Sequence, residues 1–544
     1  MNRKETSEVM LTLLISSMLA MAFDIQPVEA EIKIWYVDDD GGADFTTIQE
    51  AINAADPRDI IYVYNGTYYE TLVVTKSLRL VGENRNATII DGSQAGIVID
   101  ITADNTIIES ITICNGINGI WVEESVSNVS ITRNMIVSNK GFGVLLDDFS
   151  HDNVVIGNIV AMNERGITML TSYNNTLRDN NICDNRFNFQ VSGFSLSAYN
   201  QDVDGSNTVD GKPIYYLVGQ HDQQIPADAG CVVIVNSTEI TVRGLNLSRN
   251  WEAATFAYSR NCVIEHVNAT DNWEGISMYH SNTNTIEGNV LAANYKGVLL
   301  MYSANNTISR NIITNNYEGI QCIDSQSTDN KVIGNTVKDN SWGIALCSDD
   351  NVIYHNNFVN NTRQVYSFEH VGNTWDNGYP FGGNYWSDYA GNDTYSGLYQ
   401  NETSYDWIGD APYVIDENNQ DDYPLMKPYA PETEEVRIMY RKLLEKYNAL
   451  LTDYDKLNST YCTLSSNYTG LQGDYDALNS SYNDLNATYN ELKSDQEATL
   501  KKLNNARDLM YGFMATAIAF IVTTVYFAIG RPKIEPRKKP PFSS

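Results

Sequence analysis

NTIEGNVLAANYKGVLL (Asn284 to Leu300) and NTISRNIITNNYEGIQCI (Asn306 to Ile323) follow one pattern, N-x-I/V-x-x-N-x-I/V-x-x-N-x-x-G-I/V-x-L, with small slips. It recurs in NVSITRNMIVSNKGFGVLL (Asn128 to Leu146), NVVIGNIVAMNERGITML (Asn153 to Leu170) and NKVIGNTVKDNSWGIALC (Asn330 to Cys347). Gly143 and Gly166 are 23 residues apart, and Gly275, Gly297, Gly319 and Gly343 are 22, 22 and 24 apart. Such a period marks a stack of small units. Each unit holds three β-branched runs broken at polar corners, too short for helices. One unit cannot bury its apolar face alone. Stacked units pair strands at ~4.8 Å and pile Ile, Val and Leu inside. The corner Asn should lie beneath the Asn of the next coil, its amide bonding along the ladder. Gly before the third run is expected to supply positive φ at a corner. The predicted fold is all-β: a right-handed parallel β-helix, a three-sided solenoid. Leucine-rich and WD40 patterns are missing.

Outward from the repeat, DFTTIQEAINAA (Asp44 to Ala55) sets Phe45, Ile48, Ala51 and Ile52 on one helical face, predicting an N-terminal helical cap. Ile60 to Gly92 then opens the coils. This entry segment resembles that of the pectin-lyase-like superfamily. NTVDGKPIYYLVGQ (Asn207 to Gln220) and Gly382 to Leu425 are similar, more closely, to the insertion and C-terminal module of NosD-like, carbohydrate-binding and sugar-hydrolase β-helix proteins of archaeal cell surfaces. The resemblance covers about Trp35 to Lys427. It implies a β-helix over 31–371, with an inter-coil insertion at about 187–230, and an acidic aromatic module over 372–431.

The ends predict a topology. Residues 1–30 read as a signal peptide: Arg3 and Lys4 precede an apolar run, and Val28-Glu29-Ala30 offers a cleavage site. An uncleaved anchor is the alternative. Leu509 to Ile529 carries no charge, enough to span ~30 Å of hydrocarbon as one transmembrane helix. Arg531, Lys533, Arg537, Lys538 and Lys539 follow, so 530–544 is expected as a cytoplasmic tail, with the N-terminal portion outside a single-pass cell-membrane protein. Sequons occur at Asn65, Asn86, Asn128, Asn174, Asn236, Asn246, Asn268, Asn305, Asn360, Asn392, Asn401, Asn458, Asn467, Asn479 and Asn486, compatible with that placement.

Over 432–508 the repeat changes. Tyrosines from Tyr440 to Tyr489 fall every seven residues and leucines from Leu443 to Leu492 follow each by three. Eight such heptads predict a coiled-coil stalk that self-associates. Its Asn, Ser, Thr and Gly content makes an isolated helix weak, so pairing must stabilise it.

With 36 basic against 68 acidic side chains and net charge −32, a nucleic-acid partner is excluded, since phosphate binding needs clustered cations. Neutral glycans or divalent cations suit it better. Catalysis is less legible. Glu123-Glu124 and Asp147-Asp148 occupy comparable corners of neighbouring coils, so they are candidate catalytic carboxylates for glycoside chemistry, against a solvated acidic corner. Of the superfamily's polygalacturonase-like signatures, Asp147-Asp148 matches only the Asp-Asp element, so enzyme activity is left open. The NosD resemblance implies copper handling. Yet His151, His221, His266, His280, His355 and His370 are scattered, and Met278-Tyr279-His280 is the nearest soft cluster. Gly372 to Lys427 holds ten acids and one base, making calcium the cofactor to consider, with Asp406, Asp410, Asp416, Asn418 and Asp421 as ligands, or else a metal-free acidic layer. In the same module Trp375, Trp386 and Trp407 are glycan-contact candidates, or cover the solenoid end. Cys114, Cys183, Cys322 and Cys347 read as core residues. The function expected is a membrane-anchored surface β-helix that binds carbohydrate or builds the envelope. The alternative is a polysaccharide hydrolase or lyase.

Overall fold

The computed structural model describes residues 31–368 and 372–430, Met10, and helical residues scattered through 446–519. The chain divides into two compact units, Met1–Pro431 and Glu432–Ser544. Apart from Met10 the signal lies outside the described residues, as do the tail 530–544 and all but seven residues of Leu509–Ile529. Among the described residues no helix is long and apolar enough to cross a membrane. The described heptad residues Tyr447, Leu450, Tyr454, Leu457, Tyr461, Tyr489 and Leu492 are helical and exposed; the rest of the heptad array is outside the described set.

Within Met1–Pro431 short parallel strands coil into a right-handed solenoid of three sides. In its first half, side 1 stacks eight strands from Ile34–Val37 to Asp202–Val203, side 2 runs from Gly66–Tyr68 to Thr208–Val209, and side 3 stacks six from Leu72–Val74 to Phe187–Ser192. In the second half, side 1 runs from His221–Gln224 to Val352–Tyr354, side 2 from Asn246–Ser248 to Tyr385–Trp386, and side 3 from Lys212–Val218 to Arg363–Ser367. The halves meet at a hairpin. Val209 pairs antiparallel with Lys212 across Asp210-Gly211, both at positive φ (49° and 78°), the conformation that Asp-Gly favours in a two-residue turn. Side 2 of the first half is thereby continuous with side 3 of the second, as one fifteen-stranded sheet.

Inward side chains stack in register: Ile108, Ile131, Val155 and Leu177 are all buried on side 1. The corner asparagines form the ladder read from the sequence. Asn289 donates its backbone N–H to Asn311 Oδ1 at 2.8 Å, and Asn311 donates to Asn335 Oδ1 at 2.9 Å. Each amide also closes backward: Asn311 Nδ2 donates to the Ile286 carbonyl at 2.9 Å. The bend's backbone groups are thus satisfied away from water.

The glycines before the third run have a different cause from the one expected. Gly275, Gly297, Gly319 and Gly343 are absent from the positive-φ residues. A Cβ on Gly297 would lie 2.5 Å from the Gly319 carbonyl oxygen and 2.8 Å from Ile313. Close approach of successive coils excludes a side chain there, and the left-handed corners are filled by Asn128, Asp152 and Asn174 instead.

The helix Ile48–Ala54 buries Ile48, Ala51 and Ile52. Glu70 accepts the N–H groups of Ile48 and Gln49 at 2.8 and 2.9 Å, placing a carboxylate at the helix start. At the far end Tyr385–Trp386 continues side 2 beside Asn357–Phe358. Trp386 stacks between Phe358 and Tyr413 at 4.6 and 4.3 Å.

Candidate functional site

On side 3 of the first half the sequence-read carboxylates Glu123 and Asp147 meet another acid, Asp100. On Ile97–Ile101, alternation turns Asp100 outward, in register with Val73 on one side and Trp121 on the other. Glu123 directly follows Asn118–Val122, and Asp147 follows Phe142–Leu146. Asp100 and Glu123 are hydrogen-bonded to each other, and Asp147 adds a third negative charge beside Glu123. All three are partly buried.

Burial pushes Asp100 above the ordinary carboxylate range. It does the same to Glu123, followed by the charge of Asp100 and its hydrogen bond, then the charge of Asp147. The charge of each opposes ionisation of the other, so the pair gives up its last proton less readily than a lone carboxyl would. Asp100 Oδ1 is buried without a hydrogen-bond partner. The Trp121 indole donates to Asp147 Oδ2 at 3.0 Å. Next along the face, Arg165 lies over Phe142 at 4.9 Å. The cluster therefore presents a carboxyl pair whose last proton is held more firmly than usual, a carboxylate fixed by an indole, and an aromatic ring under a guanidinium. Glu124 and Asp148 are exposed beyond it. The sequence reading missed Asp100. Its signal was an acid at the outward position of the apolar run Ile97 to Ile101.

A second acidic row lies on side 3 of the second half. Glu252, Glu274, Lys296 and Glu318 occupy successive rungs. Lys296 Nζ is 3.3 Å from Glu274 Oε1, and the Tyr279 hydroxyl donates to Glu274 Oε2 at 3.0 Å. Burial and the neighbouring Glu274 push Glu252 well above the usual range. The three glutamates of this row are buried, and Lys296 is partly buried beside them. Beside it, Trp251, Trp273, Tyr295 and Tyr317 stack face to face at 4.2–4.8 Å, presenting ring edges outward.

The other candidates are dispersed. Asp410 accepts from Thr394 and Tyr395, Asp416 from Asn418 and Asn419, Asp406 from Ile408 and Gln400. Asp421 accepts from Asn384, Trp386 and Tyr423. Among the described residues, no three of these four carboxylates converge. Trp375 and Trp386 are each 1% exposed and closed to any glycan, because they pack at the end of the solenoid core; Trp407 is half-exposed beneath Lys427.

The histidines have separate surroundings. His151 bonds Asp152, His280 is stacked between Tyr258 and Tyr302, and His355 bonds the Phe381 carbonyl; His370 is outside the described residues. Met278 is in the core while Tyr279 faces Glu274, which splits that cluster. Burial pushes the Cys114 thiol up to about 11 and Cys322 to about 12, away from thiolate chemistry. Among the described residues, only Asp38, Asp39 and Asp40 bring three such ligand atoms together. Oxygen ligands suit hard cations, so the described residues do not fit a copper ion.

A family model described as periplasmic copper-binding protein (NosD) matches residues 42–216 and 210–391. A cell surface glycoprotein of Methanothermus fervidus is 43% identical over 94 residues, 17% of this chain and 16% of that one. Pectinesterase 3 of Solanum lycopersicum is 46% identical over 61 residues, 10% and 11% of the two chains. The chain thus spans less than a fifth of each of these relatives. Among solved structures, the A-module of an Azotobacter vinelandii mannuronan C-5 epimerase aligns at 16% identity with TM-score 0.30, covering 60% of this chain and 92% of its own.

Proposed function

Since this chain belongs to the NosD family, we propose that it is a surface-displayed β-helix whose side 3 engages an extracellular polysaccharide. The observation that carries this reading is the half-open cluster Asp100–Glu123–Asp147. A carboxyl pair that keeps its last proton both donates and accepts, which matches sugar hydroxyls. The signal-like 1–30, the apolar Leu509–Ile529 and the short match to a cell surface glycoprotein support display outside a membrane. The exposed heptad residues Tyr454 and Leu457 support self-association of the stalk.

A second reading is favoured by the same proton. A carboxyl kept protonated by its neighbour can protonate a glycosidic oxygen, while Asp147 activates water or stabilises the developing oxocarbenium charge. The donated proton returns from that water, so acid and base are regenerated. Full-length protein in detergent, applied to a polysaccharide panel with reducing-sugar release measured in parallel, separates the readings. Binding without release is expected for display alone. Loss of binding in Asp100→Ala and Glu123→Gln supports the site. Unchanged binding in both variants would sink it.

A further inference from the structure

Among the described residues twenty-eight asparagines are buried, most of them in the ladders, yet none of these begins a sequon. All eleven sequon asparagines within 31–430 are exposed. The physical reason lies in the coil. A ladder asparagine spends its amide on the next rung. Those before side 1 and side 2 strands are followed two residues later by an inward apolar residue, as in Asn284-Thr-Ile286 and Asn289-Val-Leu291, which leaves no place for Ser or Thr. Those before side 3 strands are followed by residues such as Lys296, Glu318 and Trp342. The sequon asparagines stand elsewhere. Asn128, Asn174 and Asn305 hold left-handed corners (φ 57°, 57° and 59°) just before side 1 strands. Asn246 and Asn268 start adjacent strands of side 2. On side 3, from Leu72–Val74 to Arg363–Ser367, no strand contains one.

We propose that N-linked glycans coat sides 1 and 2 at these outward asparagines, that the strands of side 3 are left bare in each half, and that the first-half stack from Leu72–Val74 to Phe187–Ser192 is the face on which a neutral polysaccharide lies. The class of ligand follows from charge. Side 3 presents Asp100, Glu123 and Asp147, and the chain carries net charge −32, so a polyanion would be repelled over the whole face. A glycan is bulky and solvating, so one attached to side 3 would hold a second chain off. The inference rests on the polysaccharide-binding reading for its ligand, but not for the coat.

Val73 offers the test. It is 43% exposed on side 3, in register with Asp100, and Thr75 lies two residues on, so Val73→Asn alone installs a sequon there. The full chain, produced in the cells that make it, is mapped by glycopeptide mass spectrometry. Glycan on Asn128, Asn174 and Asn305 and none on side 3 strands is expected. Unmodified asparagines at all three would overturn the coat. In Val73→Asn, a new glycan with at least tenfold loss of polysaccharide binding is expected, whereas Val73→Asn with Thr75→Ala, which lacks the sequon, should bind as the parent. Full binding by the glycosylated variant would overturn the bare-face assignment. A parent that binds no neutral polysaccharide refutes the functional reading, while the map still decides the coat. Asp100→Asn is unsuitable as a probe of the acid, because it creates Asn-Ile-Thr with Thr102.

Discussion

Replacing Asn311 by alanine should loosen the middle of the solenoid far more than replacing Asn315, four residues on. Asn311 is fully buried. Its Oδ1 accepts the backbone N–H of Asn289 at 2.8 Å and Asn289 Nδ2 at 2.9 Å, and its Nδ2 donates to the Ile286 carbonyl and to Asn335 Oδ1, both at 2.9 Å. Asn335 Oδ1 keeps the backbone N–H of Asn311, and Asn289 Nδ2 keeps the Ile264 carbonyl. The Asn289 N–H is left orphaned, while the Ile286 C=O, inside the paired strand Thr285–Glu287, loses only its side-chain donor. At ~1–3 kcal/mol for the buried unsatisfied N–H and ~1 kcal/mol for the lost hydrogen bond, the loss is about 3 kcal/mol. Asn315 is exposed, and its amide bonds only the neighbouring Thr314 hydroxyl. It also sits at a left-handed φ of 56°, so its truncation should cost ~1 kcal/mol, from alanine's strain there rather than from a lost ladder bond. A repeat array need not unfold as one unit, so global melting is a blunt probe. Hydrogen exchange followed by mass spectrometry on peptides spanning 284–316 reads the coil itself. In Asn311→Ala these amides should exchange about a hundredfold faster than in the parent, and in Asn315→Ala only several-fold faster. Equal protection in the two variants would refute the ladder as a source of stability.

Gly297→Ala should cost ~2 kcal/mol or more by overpacking, because its Cβ meets the Gly319 carbonyl oxygen at 2.5 Å; Gly205→Ala, where nothing lies within 4 Å, is the control in the same exchange assay. Asp421 sets a pH dependence. Burial raises it to about 7 despite hydrogen bonds from Asn384, Trp386 and Tyr423. The folded state therefore binds this proton more tightly than the unfolded chain, so its contribution is full below about pH 4 and is lost as pH rises to about 7. Exchange protection of peptides in 382–425, corrected for intrinsic exchange, should fall between about pH 4 and 7, and Asp421→Asn should flatten that slope. Hydrogen bonds hold Asp410 and Asp416 below their ordinary range despite some burial, so their contribution is lost on acidification below about pH 4, outside that window.

The solenoid, its three-run coil and the asparagine ladder were legible because every contact that builds them joins residues one period apart, and a period is a property of the sequence. The Gly297 spacing was legible too, but not its cause: backbone approach between coils depends on three-dimensional stacking. Of the candidate site, Glu123 and Asp147 were found as neighbouring corners, while Asp100, on the preceding coil, was not, since its side chain joins them only diagonally across strands. The aromatic residues of the C-terminal module gave no sign of which rings would be buried. Trp375 and Trp386 pack inside and Trp407 does not, because the stacking of Trp386 on Phe358 is set by how a non-repeating segment folds back.

By itself, then, the sequence determined what repeats: strand pairing, inward Ile and Val, and Asn over Asn. The tertiary structure alone decided what does not repeat. The Asp210-Gly211 hairpin joins side 2 of one half to side 3 of the other, the glutamates of the second acidic row are buried, and Asp100 comes to lie against Glu123. Periodic neighbours are fixed by local pattern and nearest-neighbour stacking. Contacts across an insertion depend on a single turn and on packing that no period encodes.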